Sequence, residues 1–253
     1  MPKRGVLFAF LMLLGGASVA LAQDDVGARM SLERIANIRT GSYTAGDQIR
    51  FSLDRYAARY LLRFDNEPEI YVVYADHGSL GGQVLKYDSG ATALKVAGWG
   101  AITLYTDAQP SGLPAERTGD SMTPALAQIS LSGMQSAAED EAEHLSYVRR
   151  LHLSFTADWA TLAADPGLRL LAFDTMQNTA RGIDRFATSG AARAALAAKI
   201  DTVRIMTGAK PTIELHGRVL NVTFNPAQGF AGRASSRGIA RALGKLLSVA
   251  TAN

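Results

Sequence analysis

Residues 229–245, GFAGRASSRGIARALGK, combine glycines, two adjacent serines and evenly spaced cations. A serine can cap a helix, and the free N–H groups at a helix start carry partial positive charge that attracts anions. The residues that could bind an anion here are Arg233, Ser235, Ser236, Arg237 and Arg241. A P-loop nucleotide site is excluded, because that motif needs Gly-Lys-Ser/Thr after its glycines and the segment lacks it.

The same segment predicts a basic amphipathic helix, which leaves two other interpretations open. Arg237, Arg241 and Lys245 recur every fourth residue and form one stripe. The opposite face is aliphatic and consists of Ile239, Leu243, Leu246 and Leu247. A cation near an anionic membrane contributes about 1 kcal/mol, whereas burial of a large aliphatic side chain contributes about 1.5–3 kcal/mol. The larger free energy of aliphatic burial favours a helix packed in the core over a helix attached to a membrane.

A second segment, ADHGSLGG, places Asp76, His77 and Ser79 within four residues. These are the residue types of a hydrolytic triad, so they are candidate catalytic residues. Triads are assembled from separate segments, however, and neighbouring strand residues face opposite sides of a sheet. The segment therefore favours a hairpin turn whose glycines supply positive φ angles.

Metal ligands are scarce in this sequence. It contains no cysteine, and its histidines are His77, His144, His152 and His216. None of them forms the i, i+4 pair that places two imidazoles on one helix face. Glu141 and His144 share a face at i, i+3 but supply only two of the usual four ligands. The sequence indicates neither a metal nor a cofactor.

The first 22 residues have the features of a secretory signal peptide. Lys3 and Arg4 precede an apolar run at 6–14, and a small-residue site ends at Ala22. The run is shorter than the roughly 20 residues that a membrane anchor requires. We therefore expect cleavage near Ala22 and a periplasmic or secreted protein. Basic and acidic residues are nearly balanced, at 26 and 23, which argues against a nucleic-acid partner.

The predicted secondary structure that positions these residues changes from strands to helices along the chain. Residues 23–118 form a β-rich region, in which five or six β-branched and aromatic runs separated by turns predict an antiparallel meander or partial barrel. Its aromatic residues either fill the sheet's own core or line a site for an apolar ligand, and the small number of strands favours the core. Residues 119–135, rich in Pro, Gly and Ser, read as a linker.

Helical periodicity dominates residues 136–253. Ser136 and Glu139 form a capping box, and an alanine-rich helix is expected to end at Gly208. A hairpin at 211–225 interrupts the helices, and the basic amphipathic helix ends the chain. The predicted fold is therefore α+β, with an N-terminal sheet packed against a C-terminal helical region that carries one hairpin.

Five strings of residues connect this chain to a known family: LLRFDNEPEIYVVYADHGSLGGQVLKYDSG, GWGAITLYTD, GLPAERTG, ARGIDRF and VTFNPAQGFAGRASSRGIARALG. Through them it resembles a bacterial family of exported proteins of about this length, catalogued as domain of unknown function 4908. The resemblance implies an exported protein. It assigns no activity, cofactor or catalytic residue to any position.

Taken together, the sequence predicts a non-catalytic binding or envelope-associated module, with an envelope partner or a small ligand. One alternative is a periplasmic hydrolase that uses Asp76 and His77. Another is a peripheral membrane or envelope-scaffold protein that makes weak contact with the membrane surface through its basic C-terminal helix.

Overall fold

The computed structural model describes residues 38–249, and this part begins with eight antiparallel strands. They are β1 (Gly41–Ala45), β2 (Ile49–Tyr56), β3 (Arg59–Phe64), β4 (Ile70–His77), β5 (Gln83–Lys86), β6 (Thr92–Val96), β7 (Ile102–Leu104) and β8 (Leu113–Gly119). Each strand pairs with the next, and β8 returns to pair with β1. The sheet is therefore a closed barrel, which leaves no edge strand unpaired.

The closed barrel corrects the expected meander of five or six strands. The two strands missing from that expectation are β1 and β8, which close the barrel. Their sequences, GSYTA and LPAERTG, are short and polar, and Pro114 lies within β8. β1 alternates Tyr43 and Ala45 with Ser42 and Thr44 over only five residues, and β8 has little hydrophobic alternation, so the sequence signal for both strands is weak.

Aromatic side chains fill the barrel interior. Five buried rings form a continuous row of neighbours whose centroids lie 5.2–6.2 Å apart: Tyr43, Phe51, Phe64, Tyr71 and Tyr87. Leu85, Leu94 and Leu104 continue the interior as cross-strand partners, and each is fully buried. These rings and leucines form the barrel's own core.

The second half contains five α-helices within the described residues, and four more strands lie among them. The helices are α1 (Leu131–Arg149), α2 (Trp159–Ala164), α3 (Pro166–Phe186), α4 (Gly190–Lys199) and α5 (Ser236–Leu246). The strands are β9 (Ser154–Ala157), β10 (Thr202–Thr207), β11 (Thr212–His216) and β12 (Val219–Phe224). They form a sheet in the order β11-β12-β10-β9. A mixed sheet therefore stands where the sequence indicates a single hairpin.

The hairpin at 211–225 is present as β11 and β12, but β10 pairs with β12 and with β9 in parallel. Parallel neighbours need a long crossover, which α2, α3 and α4 provide between β9 and β10. The helix expected to end at Gly208 stops at Lys199, and the alternation of Val203 and Ile205 belongs to β10.

The start of α1 also differs from the expectation. The Ser130 hydroxyl accepts a hydrogen bond from the Gly133 N–H at 3.0 Å, so the helix begins at Leu131 rather than at Ser136. The Ser136–Glu139 pattern lies inside the helix, and the helix includes the last residues of the expected linker, 119–135.

The chain is an α+β protein, as the sequence indicates. The arrangement with strands first and helices second holds only in part, because the second sheet lies among the helices. No helix between residues 38 and 249 is long and apolar enough to cross a bilayer. Helix α5 buries Ile239 and Leu243 in the helical core, while its polar side meets the barrel.

Candidate binding cleft

Helix α5 starts against one end of the barrel, where two barrel carboxylates receive its first N–H groups. The Ser235 N–H and hydroxyl donate to Asp88 at 2.7 and 2.5 Å. The Ser236 N–H donates to Glu69 Oε1 at 2.7 Å. The Ser235 hydroxyl also accepts from the Gly238 N–H at 3.2 Å and so caps the helix. The chain's own carboxylates thus occupy the anion-attracting helix start, and an external anion would have to displace them.

Arg233, another of the predicted anion-binding residues, is buried in the protein. It forms an ion pair with Asp174 of α3, and its Nη2 donates to the Ile70 carbonyl of β4 at 2.9 Å. Its guanidinium also lies 5.4 Å from the ring centroid of Phe230. Only 1% of the Arg233 side chain is exposed, so this residue joins the barrel to the helical region.

Arg237 binds the barrel through Asp107, which lies between β7 and β8. Its two terminal nitrogens donate to the two Asp107 oxygens at 2.7 and 2.9 Å, and Arg185 of α3 binds the same carboxylate. The Arg237 guanidinium lies 4.5 Å from the ring centroid of Tyr87, within range of a cation–π interaction. Partial burial raises the pKa of Asp107, but the hydrogen bonds and charges of Arg237 and Arg185 outweigh it and lower the pKa overall.

A cleft of about 1040 Å³ opens beside these contacts. Its walls come from the barrel connections, from α1, and from the adjacent helices α3 and α5. Four guanidinium groups line it, those of Arg181, Arg185, Arg237 and Arg241. A cleft at the junction of two structural layers, with polar groups converging on it, is a common setting for a ligand site.

The guanidinium groups of the cleft are unequally neutralised. Arg185 and Arg237 share one carboxylate. Arg181 donates to the side-chain oxygens of Asn178 and Gln177 at 3.2 and 3.1 Å, and Arg241 donates to the Ser89 carbonyl. The wall formed by α3 and α5 therefore carries more positive charge than its direct partners neutralise.

The acidic residues of the cleft have other partners or lie on other elements. Asp184 binds Arg149 at 2.6 Å, and Glu67 Oε2 accepts a hydrogen bond from the Tyr71 hydroxyl at 2.9 Å. Glu141 lines the cleft from α1. Glu67 and Glu141 therefore lie on elements other than the guanidinium wall, whereas Asp184 lies on α3 and is paired with Arg149.

Glu69 lines the cleft from its buried floor, and the residue is only 1% exposed. Burial raises the pKa of its carboxyl, although hydrogen bonds from Ser236 and the charges of Arg233 and Arg181 oppose that rise. The folded protein therefore holds the proton of Glu69 more tightly than the unfolded chain does, and this difference links the stability of the fold to pH.

We expect Glu69→Gln to change how stability depends on pH. The amide oxygen can still accept from the Ser236 N–H, but the variant has no carboxylate to desolvate. Because the pKa of Glu69 is higher in the folded state, the wild type should gain stability relative to the variant as pH falls from neutral through that pKa. Urea unfolding at about pH 7 and about pH 5 measures this difference. Glu116→Gln, at an exposed position of β8, is the control, and an equal difference at both pH values would contradict the prediction.

The candidate hydrolytic residues lie away from the cleft lining, at the end of β4. Asp76 Oδ2 binds Lys86 at 2.7 Å, and Oδ1 accepts from the His77 backbone N–H at 2.8 Å. The Lys86 hydrogen bond, with that N–H, lowers the pKa of the exposed Asp76 carboxyl. Ser79 begins a short 3-10 turn, residues 79–81. The structure thus brings Asp76 to Lys86, not to the imidazole of its sequence neighbour.

The glycines of this segment agree with the expectation of positive φ at only one of three positions. Gly81 has a positive φ of 76°, and Leu80 has one of 54°, whereas Gly78 and Gly82 lie in the extended region. The last two are needed for space instead, since a Cβ on either would approach neighbouring backbone atoms within 3.0 Å.

The remaining polar candidates lie on separate elements. His144 lines the cleft, while His152 Nδ1 lies 3.2 Å from the Ser146 hydroxyl and His216 Nδ1 lies 2.9 Å from Asn221 Nδ2. Among residues 38–249, no three His, Cys, Asp or Glu side chains form a group that could hold a metal ion.

The basic stripe of α5 turns largely toward the barrel. Only 15% of the Arg237 side chain is exposed, and Arg241 binds the β5–β6 connection through Ser89. On the aliphatic face Ile239 and Leu243 are fully buried, whereas Leu246 is 39% exposed. Arg237 and Arg241 thus contact the barrel, whereas Lys245, the third cation of the stripe, is exposed.

This protein is an α+β protein in which an eight-stranded barrel is joined to a region of helices and a mixed sheet by buried charges. A charged cleft lies beside that joint. The chain belongs to the family described as domain of unknown function DUF4908, whose model matches residues 23–243. No curated protein and no solved structure matches the chain.

Sequence reasoning found Arg237 and Arg241 of the cleft but missed Arg181 and Arg185 of α3, and it missed the acidic partners of the segment at 233–241. Asp88 and Asp107 follow strands in turn sequences, and such aspartates ordinarily hydrogen-bond their own backbone. Glu69 likewise follows the Asp-Asn-Glu-Pro turn. The only sequence signal was the excess of cations after residue 202, which implies that acidic partners come from elsewhere in the chain.

Proposed function

We propose that this chain is an exported, non-catalytic binding protein whose cleft takes a small polar ligand with a carboxylate or phosphate group. The observation that carries the proposal is the guanidinium wall of α3 and α5. Arg185 and Arg237 share the single carboxylate of Asp107, and Arg181 and Arg241 bind neutral oxygens. Planar guanidinium groups suit carboxylate and phosphate ligands because they can donate two parallel hydrogen bonds.

A binding role agrees better with this cleft than a hydrolytic one. Asp107 and Asp184 are held in ion pairs, and Glu69 receives the start of α5. Groups engaged in this way position neighbouring elements and are not free to exchange protons with a substrate. Export to the periplasm or medium is part of the proposal and rests on the signal-peptide pattern of residues 1–22, which lie outside the described residues.

Anion binding to the purified protein tests the proposal. We expect inorganic phosphate or succinate to raise the melting temperature saturably, beyond the effect of sodium chloride at equal ionic strength. Arg181→Gln should weaken that binding about tenfold, since hydrogen bonds to charged groups contribute about 1.5–3 kcal/mol. Arg241→Gln, on the other helix of the same wall, should weaken it in the same direction.

Lys210→Gln is the matched control, because Lys210 is exposed and lies outside the cleft lining. It removes one positive charge and should leave anion binding unchanged. Circular dichroism establishes that each variant is folded. A melting temperature that responds only to ionic strength, or equal binding by Arg181→Gln and the wild type, would refute the proposal.

A further inference from the structure

Two large apolar side chains protrude from the barrel at the end where β4 joins β5 and β6 joins β7. Leu80 is 94% exposed and Trp99 is 82% exposed. Isolated exposed hydrophobic residues are common, but two fully exposed ones on adjacent loops form a patch that calls for an explanation. The cleft does not use either residue.

The two loops that carry these side chains are packed backbone to backbone. A Cβ on Gly82 would lie 2.6 Å from the Val96 carbonyl oxygen, and one on Gly98 would lie 3.0 Å from the Leu80 carbonyl oxygen. Glycine at both positions therefore permits the close approach. Leu80 itself adopts φ 54° and ψ 40°, a conformation that costs free energy for leucine and places its side chain in solvent. The fold thus holds the two loops against each other and leaves both side chains exposed.

The position of this patch, which we name the Leu80–Trp99 rim, follows from the barrel topology. Because the strands alternate in direction, the β2–β3, β4–β5 and β6–β7 connections lie at one end of the barrel. The connections that contribute Glu69, Asp88 and Asp107 to the joint with α5 lie at the other end. The rim can therefore meet a second surface without blocking the cleft.

Basic side chains lie on the strands that lead to this rim. Arg55 and Arg59 flank the β2–β3 turn at the same end of the barrel, where Arg55 is exposed and Arg59 lies 4.8 Å from the ring centroid of Tyr74. Asp76, near the end of β4, is already paired with Lys86 at 2.7 Å. The surroundings of the two apolar side chains therefore favour a partner with negative charge.

We propose that the Leu80–Trp99 rim docks this protein onto the surface of a lipid bilayer that contains anionic phospholipid. Protruding side chains need a partner that yields to them, and the interfacial layer of a bilayer does so. Tryptophan concentrates at that layer because its ring is both apolar and able to donate a hydrogen bond. Basic residues at the same end of the barrel add attraction to anionic headgroups.

Vesicle flotation with the exported, purified protein tests the proposal. We expect the wild type to bind vesicles of phosphatidylethanolamine and phosphatidylglycerol, and to bind phosphatidylcholine vesicles less. The double variant Leu80→Asn/Trp99→Gln should partition at least about tenfold less, since it removes both apolar side chains. Asparagine suits position 80 because it tolerates positive φ.

Tyr147→Gln is the matched control, because Tyr147 is an equally exposed aromatic residue, 90% accessible on α1. All variants share one N-terminus, determined by sequencing, so residues 1–22 cannot account for a difference between them. The control should bind like the wild type. Absence of vesicle binding by the wild type, or equal binding by the double variant, would overturn the proposal.

The fluorescence of Trp99 gives a second readout that reports on the rim directly. Trp159, the other tryptophan, packs against the helical core, and Trp159→Phe leaves Trp99 as the sole reporter. Its emission should shift to shorter wavelength and resist acrylamide quenching when vesicles are added. A shift that instead grows with protein concentration in the absence of lipid would assign the rim to protein association and exclude the lipid proposal.

Discussion

Replacement of Arg233 by methionine is expected to lower the free energy of unfolding by about 3–5 kcal/mol. The Arg233 side chain is 1% exposed, and its ion-pair partner Asp174 is 15% exposed. Methionine fills a similar volume but leaves Asp174 with a largely desolvated charge and removes the hydrogen bond to the Ile70 carbonyl. The loss should therefore reflect an unpaired buried carboxylate rather than a cavity.

Urea denaturation of the wild type and the variant measures this loss. The matched control is Arg50→Met, because Arg50 pairs with Asp65 at 3.5 Å where both side chains are more than half exposed. Exposed pairs contribute at most about 1 kcal/mol, so the control should remain near the wild type. Arg233→Met/Asp174→Met should recover part of the lost stability, since it leaves no unpaired charge. A small loss, like that of the control, would show that Arg233 does not stabilise the joint.

This result would bear on the role of the whole C-terminal segment. Residues 233–241 supply four of the contacts to the barrel described above, through Arg233, Ser235, Ser236 and Arg237. On the other side of α5, Ile239 and Leu243 enter the helical core. A helix that is charged on one face and aliphatic on the other is thus used here to join two parts of one chain. The same pattern in isolation suggests membrane contact, because local sequence does not record what covers each face.

The fold class could be predicted from periodicity, whereas barrel closure could not. Six of the eight barrel strands are apolar-rich runs bounded by turns, and the hairpin of β11 and β12 has a clear turn at Gly217. β1 alternates apolar and polar residues over only five positions and β8 is largely polar, and the pairing of these two strands, which closes the barrel, joins residues 70 or more apart in sequence. The sequence predicts helix at β10 because the alanine-rich segment before it has helical propensity, and no Gly or Pro marks the end of that helix.

In the candidate site, too, local features could be predicted from the sequence and long-range contacts could not. Ser235 could be recognised as a helix cap because capping is a local interaction. The acidic partners of this segment could not be recognised, since Asp88, Asp107 and Asp174 are separated from Ser235, Arg237 and Arg233 by 59 residues or more of sequence. Burial, which raises the pKa of Glu69, is likewise a property of the assembled structure.

The glycines before α5 have a different role in the structure from the one that their sequence suggests. They suggest a flexible approach to the helix. Instead, residues 226–232 form a tight 3-10 turn, closed by a hydrogen bond of 2.7 Å from the Asn225 N–H to the Gly232 carbonyl. The turn packs Phe230 against Leu61 and Val72 on the outer surface of the barrel. Its glycines serve close packing rather than mobility.

Gly232→Ala is accordingly expected to lower the free energy of unfolding by about 3 kcal/mol, at the upper end of the usual cost of overpacking. A Cβ at this position would lie 1.9 Å from the Asn225 carbonyl oxygen, a backbone atom that cannot move without opening the turn. Opening the turn would break the Asn225–Gly232 hydrogen bond and expose Phe230, which is 8% accessible. Because Arg233 follows directly, its ion pair with Asp174 would be disturbed as well.

The loss of stability in Gly232→Ala can be compared with the losses in two further glycine variants, measured by the same denaturation experiment. Gly229→Ala should also destabilise the protein, but mainly through backbone strain, because φ 53° with ψ −129° suits only glycine, and its Cβ would meet the side-chain hydroxyl of Tyr56, at 2.3 Å, rather than a backbone atom. Gly190→Ala lies at the first position of α4 with its nearest contact at 3.8 Å, and should be neutral or slightly stabilising. Equal effects at all three positions would mean that the turn relaxes freely, and would restore the view that these glycines confer flexibility.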